Sequence, residues 1–202
     1  MDRIIACIFA IYLILLAAYF IFGQQMIEAD QLASKYVFEA MKPLYITFLI
    51  LTNAGSGAFL LIVSAWIFFK KSREAGAMLF LALWFDFFIN LVLKDFFTRP
   101  RPEWFETKMF DIDSWLYSFS FPSGHASRIA LTTSLLYNFF SKQRILMIVA
   151  AALVVFSRVV IGAHFWLDVI VGALNGILIA RLWMAIPWIE IKKRIIKNDK
   201  KS

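Results

Sequence analysis

The sequence predicts an all-α integral membrane protein: six transmembrane helices in one bundle, with a short amphipathic helix on the membrane surface. Three observations predict it. Hydrophobic residues make up 61% of the 202-residue chain and charged residues only 17%, where soluble domains carry about 45–50% and about 25%. Apolar runs long enough to cross about 30 Å of hydrocarbon recur along the whole length. The polar residues collect in short islands at the ends of those runs. Length and composition read as one domain, residues 1–202, ending in a basic tail at 189–202.

The first run, residues 4–22, follows Met1-Asp2-Arg3. It is longer than the roughly 7–15-residue core of a secretory signal, and its cleavage pattern is weak, so it reads as a retained helix. Residues 23–44 interleave Gln24, Glu28, Asp30, Gln31, Lys35 and Glu39 with apolar residues at near-helical spacing, up to Pro43. They read either as the surface helix or as a solvated connector. Five further crossings follow at 45–69, 75–93, 126–140, 145–160 and 165–188. The fourth carries Arg128 in its first turn and reaches spanning length only by starting at Ser123 in a slightly thinned bilayer. The loop at 95–121 is long and carries Trp104, Phe105, Phe110, Trp115, Tyr117 and Phe119. Such aromatics suit headgroup level, and the loop is expected to lie over a site and admit a lipid sideways. Cys7 is the only cysteine, so there is no intrachain disulfide and no cysteine metal cluster.

The net charge of +7 does not read as a nucleic-acid surface, because the basic residues form no stripe. They sit in short loops and the tail, which suits a bilayer with anionic lipids. With six crossings both termini share a side. That side receives Arg3, the Lys70-Lys71-Arg73 loop, Lys142, Arg144 and the tail lysines, so the positive-inside rule places both termini in the cytoplasm of a multi-pass cell-membrane protein. Parity then makes a sharper statement. Lys94 ends the third crossing, His125 opens the fourth, Arg158 ends the fifth and His164 opens the sixth. Ends of odd crossings and starts of even ones share a face, so these distant islands converge on the extracytoplasmic side.

The islands carry a recognisable chemistry. His164 and Asp168 are four residues apart at the start of a helix and share its face. A carboxylate holding one ring nitrogen fixes the tautomer and leaves the other free to attack. Gly172 and Gly176 continue that face as a small-xxx-small pattern that lets another helix close in. His125 follows Pro122-Ser123-Gly124 at a helix mouth, where free N–H groups attract phosphate, Gly124 keeps the backbone accessible, and the imidazole can give a proton to a leaving oxygen. Lys94, Arg101 and Arg158 would hold the oxygens of a phosphoryl group in transfer. Arg99, one step out of register, reads as a rim residue. Asp86, Asn90 and Lys94, spaced by four, share a face of the third helix; Asp86 reads as structural, steadying Asn90 or pairing with a buried cation. Arg128 either reaches the phosphate or snorkels to the headgroups.

Three blocks carry a resemblance: Lys94 to Arg101-Pro102, then Pro122-Ser123-Gly124-His125, then Ser157-Arg158 to His164 and Asp168. Together they resemble the three-part signature of the type 2 phosphatidic acid phosphatase superfamily, which also includes vanadium haloperoxidases. The likeness runs over residues 45–181 and no motif position departs from it. It implies His164 as the nucleophile of a phosphohistidine intermediate, Asp168 as its orienting carboxylate and His125 as the acid. It implies Lys94, Arg101, Ser123, Gly124 and Arg158 as the phosphate-binding set, with no metal and no cofactor. A compact chain of this kind is similar to the bacterial members that hydrolyse undecaprenyl pyrophosphate or phosphatidylglycerophosphate. The expectation is therefore a membrane lipid phosphatase, with undecaprenyl pyrophosphate as the preferred substrate, then phosphatidylglycerophosphate, then phosphatidic acid. A haloperoxidase and a non-enzymatic lipid flippase stand as alternatives. The sequence does not specify an oligomeric state.

Overall fold

The structure, a computed structural model, describes residues 3–21, 23–105 and 119–186. The tail at 189–202 and the loop aromatics Phe110, Trp115 and Tyr117 lie outside them. Eight α-helices occur among the described residues: α1 (Arg3–Ile21), α2 (Gly23–Ala40), α3 (Tyr45–Thr52), α4 (Gly57–Lys70), α5 (Arg73–Phe97), α6 (Gly124–Leu136), α7 (Arg144–Val160) and α8 (Trp166–Ala185). Short 3-10 turns at Lys42–Leu44, Asn53–Gly55 and Ser141–Gln143 join some of them. No strand is present among the described residues, only an isolated bridge between Pro100 and Phe119. The all-α expectation holds.

The expected crossings change in three places. Residues 45–69 are not one straight span but α3 and α4, bent by 49°. The break has local causes: the Asn53 amide folds back onto the Leu49 carbonyl at 3.0 Å, and Ser56 caps α4 by accepting the Phe59 N–H at 3.2 Å. At the N-terminus α1 and α2 meet at 104°. The fourth expected crossing is α6, whose 13 residues rise only about 20 Å. Among the described residues three segments are long and apolar enough to cross alone, Arg73–Phe97, Ser141–Val160 and Trp166–Ala185, and the number becomes five if each bent pair forms one crossing, against the six expected.

Helix α6 is short because it is the core. Most of its residues are buried, Arg128 and His125 included, and it packs against α4, α5, α7 and α8. Its most extensive contact is with α8, and glycines make that contact possible. A Cβ on Gly172 would lie 2.5 Å from the Ser123 carbonyl oxygen, and one on Gly176 would collide with the Ser127 carbonyl. In lipid, association comes from van der Waals fit and interhelical hydrogen bonds, so close backbone approach is what holds such a pair together. Large apolar residues such as Ile50, Phe69, Phe96 and Ile145 face outward, as suits a surface solvated by lipid.

A helix does form over the expected surface segment, and two of its polar residues are turned inward. Asp30 and Ser34, one turn apart, are buried, while Leu32 and Tyr36 are 73% and 75% exposed. Gln24, Gln25, Glu28, Gln31, Lys35 and Glu39 stay exposed, so of the polar residues only Asp30 and Ser34 face the protein, where α2 packs against α7 and α8.

Candidate active site

Residues from three helices, one loop and one turn line a single small cavity: Asn90 and Lys94 from α5, Arg101 just beyond it, Gly124, His125 and Arg128 from the start of α6, Arg158 from the end of α7, and His164 in the turn before α8. The islands, up to 70 residues apart in sequence (Lys94 to His164), are thus brought together at one end of the bundle.

Each cation has an anchor. Lys94 Nζ donates to the carbonyls of Phe119 at 2.7 Å and Ser120 at 3.2 Å. The returning strand-like segment is positioned for this by the Ser120 N–H, which donates to the Arg99 carbonyl at 2.8 Å. Arg101 donates to the Ala163 carbonyl at 3.1 Å. Arg158, 1% exposed, donates to the Thr52 hydroxyl at 2.9 Å. Arg128 makes long contacts at 3.5 Å to the Gly55 carbonyl and the His125 Nδ1. These acceptors are neutral: they orient the cations and cancel none of their charge. Of the two readings open for Arg128, the structure gives the one that reaches the cavity.

His164 sits in the tight turn after α7. Gly162 allows that turn by adopting φ +72°, and a Cβ there would also strike Trp104 at 2.7 Å. The His164 Nδ1 lies 3.4 Å from Asp168 Oδ2, an ion-pair distance without an aligned hydrogen bond. Asp168 thus lies on the Nδ1 side of the ring, and His164 is part of the cavity wall. Burial, and then the charges of Arg101, Arg158 and Lys94, hold the His164 pKa well below its ordinary value, so the ring is neutral and its lone pair available.

Asp168 lies behind His164 and is fully buried. Its Oδ2 accepts the Phe165 N–H at 2.9 Å, and its Oδ1 accepts from Arg99 at 2.8 Å. Arg99 is therefore not a rim residue: it is 3% exposed, and its other terminal nitrogen donates to Asp30 at 2.9 Å. Arg99 turns to Asp168 and Asp30 while Arg101 lines the cavity, and Pro100 between them pairs with Phe119.

Ser123 is absent from the cavity wall. Its Oγ accepts the Ala126 N–H at 3.5 Å as the cap of α6, and its N–H donates to the Asp168 carbonyl at 2.9 Å. Asp86 has a structural place, as expected, but with a different partner. Its carboxylate takes a short hydrogen bond from the Ser127 hydroxyl, to which Asn175 also donates at 3.4 Å, so α5, α6 and α8 are tied together. Asn90 donates to the Asp86 backbone carbonyl at 2.9 Å. The described part of the aromatic loop packs beside the site, with Trp104 edge-on to Phe165 at 5.9 Å.

Sequence reasoning missed Thr52, Asp30 and Ser34. Thr52 gave a faint signal as a polar interruption in an apolar run. Asp30 and Ser34 gave a better one, since spacing by four puts them on one face.

The comparisons agree with this geometry. Phosphatidylglycerophosphatase B of Bacillus subtilis (strain 168) is 32% identical over 188 residues, 85% of this chain and 89% of that protein. An undecaprenyl-diphosphatase of Sulfolobus acidocaldarius is 31% identical over 116 residues, 57% of this chain and 56% of that one. Among solved structures, a transmembrane PAP2-type phosphatidylglycerolphosphate phosphatase from Bacillus subtilis superposes with a TM-score of 0.74 at 31% identity, covering 89% of this chain and 94% of that one. The family model described as PAP2 superfamily matches residues 73–192, a range that holds the whole cavity wall, and with these relatives it settles the family: this chain belongs to the PAP2 superfamily, among its membrane lipid phosphatases.

Proposed function

We propose that the protein hydrolyses a lipid phosphate ester through a phosphohistidine on His164, in one domain whose cavity opens at the extracytoplasmic face with both termini in the cytoplasm. The observation that carries the reading is the convergence of two histidines and four basic side chains on one cavity. That set supplies a nucleophile, an acid and a cationic cradle, as phosphoryl transfer needs.

The steps balance on these residues alone. Lys94, Arg101 and Arg158 take the non-bridging oxygens, helped by the Gly124 backbone N–H at the α6 N-terminus, which Ser123 caps. The His164 Nε2 lone pair forms the P–N bond as the P–O bond to the lipid breaks, and His125 gives its proton to the departing alkoxide or phosphate oxygen. Asp168 steadies the positive ring that results. Water then attacks phosphorus, its proton passes to His125, the P–N bond breaks and inorganic phosphate leaves. No step calls on a metal or cofactor.

For the substrate we place phosphatidylglycerophosphate first. The relative named for that activity is matched over 89% of its length. Undecaprenyl pyrophosphate, preferred from the sequence, becomes the second reading on a relative matched over 56%. The test is phosphate release by purified protein from both lipids, from phosphatidic acid and from a phosphate-free lipid, with EDTA present throughout. We expect turnover in EDTA, its loss by more than about a thousandfold in His164→Ala, and acid-labile 32P on the wild-type protein. Normal turnover in His164→Ala would refute the nucleophile, and activity that returns only with added divalent ions would refute the metal-free mechanism.

A further inference from the structure

We infer that Asp30 and Arg99 are positioning residues for the nucleophile: through a buried Asp30–Arg99–Asp168 bridge, helix α2 sets the carboxylate that orients His164. The inference rests on the reading of His164 as nucleophile.

The bridge is a chain of paired charges without exposure. Arg99 donates to Asp30 Oδ2 at 2.9 Å and to Asp168 Oδ1 at 2.8 Å, with side-chain exposures of 3%, 4% and 0% for Arg99, Asp30 and Asp168. Its guanidinium lies 4.2 Å from the centroid of the Phe165 ring, and Phe165 supplies the N–H that holds the other Asp168 oxygen. A planar fork that spans two carboxylates and stacks on an aromatic face has no freedom to swing toward a substrate.

The electrostatics say what Asp30 adds. Arg99 alone would neutralise Asp168 and weaken its hold on a positively charged His164 ring. Asp30 returns the negative charge, so the three groups together carry one net negative charge beside a cavity that is otherwise cationic. That charge is of little use to an arriving phosphate, but it favours the imidazolium-like state reached during transfer.

Helix α2 also completes the start of α8. The first free N–H groups of a helix need acceptors. Phe165 has Asp168 at 2.9 Å, Trp166 has the Ser34 hydroxyl at 3.1 Å, and Leu167 has Asp30 Oδ1 at 3.2 Å. Two of the three acceptors come from a helix more than 130 residues away in sequence. Asp30 thus does two jobs, one per oxygen, while Ser34 does only the docking. The two variants separate positioning from mere attachment.

The experiment compares Asp30→Asn, Ser34→Ala, Asp168→Asn and the double variant Asp30→Asn/Asp168→Asn in full-length protein, reading kcat, KM and thermal midpoint with phosphatidylglycerophosphate or whichever lipid proves active. Asp30→Asn is expected to lower kcat about 10- to 100-fold with KM within about twofold, because it touches no phosphate. Ser34→Ala is expected to lower the thermal midpoint with kcat within about twofold. The double variant is expected to be no slower than Asp168→Asn, since Asp30 acts through Asp168. Asp30→Asn at wild-type kcat, losses that multiply in the double variant, or an equal kcat loss in Ser34→Ala each overturns the inference. If His164→Ala stays active it is the proposed nucleophile that fails; if His164→Ala is dead while Asp30→Asn is normal, only the bridge fails.

Discussion

The close approach of α6 and α8 beside His125 offers a sharp test. Gly172 on α8 faces the Ser123 backbone, and a Cβ placed there would meet the Ser123 oxygen at 2.5 Å and its carbonyl carbon and nitrogen at 3.2 Å. An ordinary contact begins near 3.4 Å, so Gly172→Ala must push Ser123 away by about 0.9 Å, the difference between those two distances. The obstacle is backbone, so no rotamer change relieves it. Ser123 is also tied to α8 one turn earlier, by its N–H to the Asp168 carbonyl at 2.9 Å. The displacement therefore cannot be taken up by sliding the whole helix pair; it tilts the first turn of α6, which carries Gly124 and His125. Overpacking of this size costs about 1–3 kcal/mol of stability. A shift near 1 Å in a reacting group costs up to about a hundredfold in rate. The expected result is a lower thermal midpoint in detergent and kcat down about 10- to 100-fold, measured by phosphate release at saturating lipid. Ile170, which is 43% exposed on the same helix, is the control, and Ile170→Val should change neither quantity. Wild-type stability and turnover in Gly172→Ala would refute the close approach of α6 and α8 and the placement of His125 that depends on it.

Two further outcomes follow from the cavity. His164 must be neutral to attack, and its pKa is depressed first by burial and next by Arg101; removing a cation raises a histidine pKa, so Arg101→Gln should move the acid limb of kcat/KM to higher pH than in wild type, whereas an unmoved or lowered limb would contradict the assignment. Thr52→Val removes the hydroxyl that accepts from Arg158 at 2.9 Å, a bond to a buried charge worth about 1.5–3 kcal/mol, so KM for the lipid phosphate should rise about tenfold with the fold intact by circular dichroism; an unchanged KM would show that Arg158 does not depend on Thr52 for its aim.

What was legible in the sequence was whatever depends on helix ends and parity. Lys94, Arg101, His125, Arg158 and His164 meet because each lies at the boundary of an apolar run, and boundaries are set locally by where hydropathy changes. Gly172 and Gly176 were legible for the same reason: their spacing by four fixes a face. What escaped was set by partners far along the chain. Asp30 and Arg99 are 69 residues apart, and nothing within α2 says that Asp30 and Ser34 should turn inward while Gln31 and Lys35 beside them stay exposed. The break between α3 and α4 escaped because averaging over a long apolar run hides a Thr52-Asn53 pair and a capping Ser56, although those few polar atoms decide where the hydrogen-bond ladder stops.

Arg99 and Arg101 show why proximity to a motif is a poor guide to role. They are the same residue type, two positions apart, and the motif assigns Arg101 to the phosphate set and leaves Arg99 at its rim. The structure divides them by the charge of their acceptors. Arg101 donates to the Ala163 carbonyl, and a neutral acceptor fixes the side chain while its field still reaches the cavity. Arg99 donates to two carboxylates, and its field is cancelled within a few ångströms. The first kind of cation serves the ligand; the second serves the side chains that serve the ligand. Between them Pro100 holds the backbone against Phe119; Arg101 lines the cavity together with His164, and Arg99 is held by the carboxylate that lies beside the His164 ring.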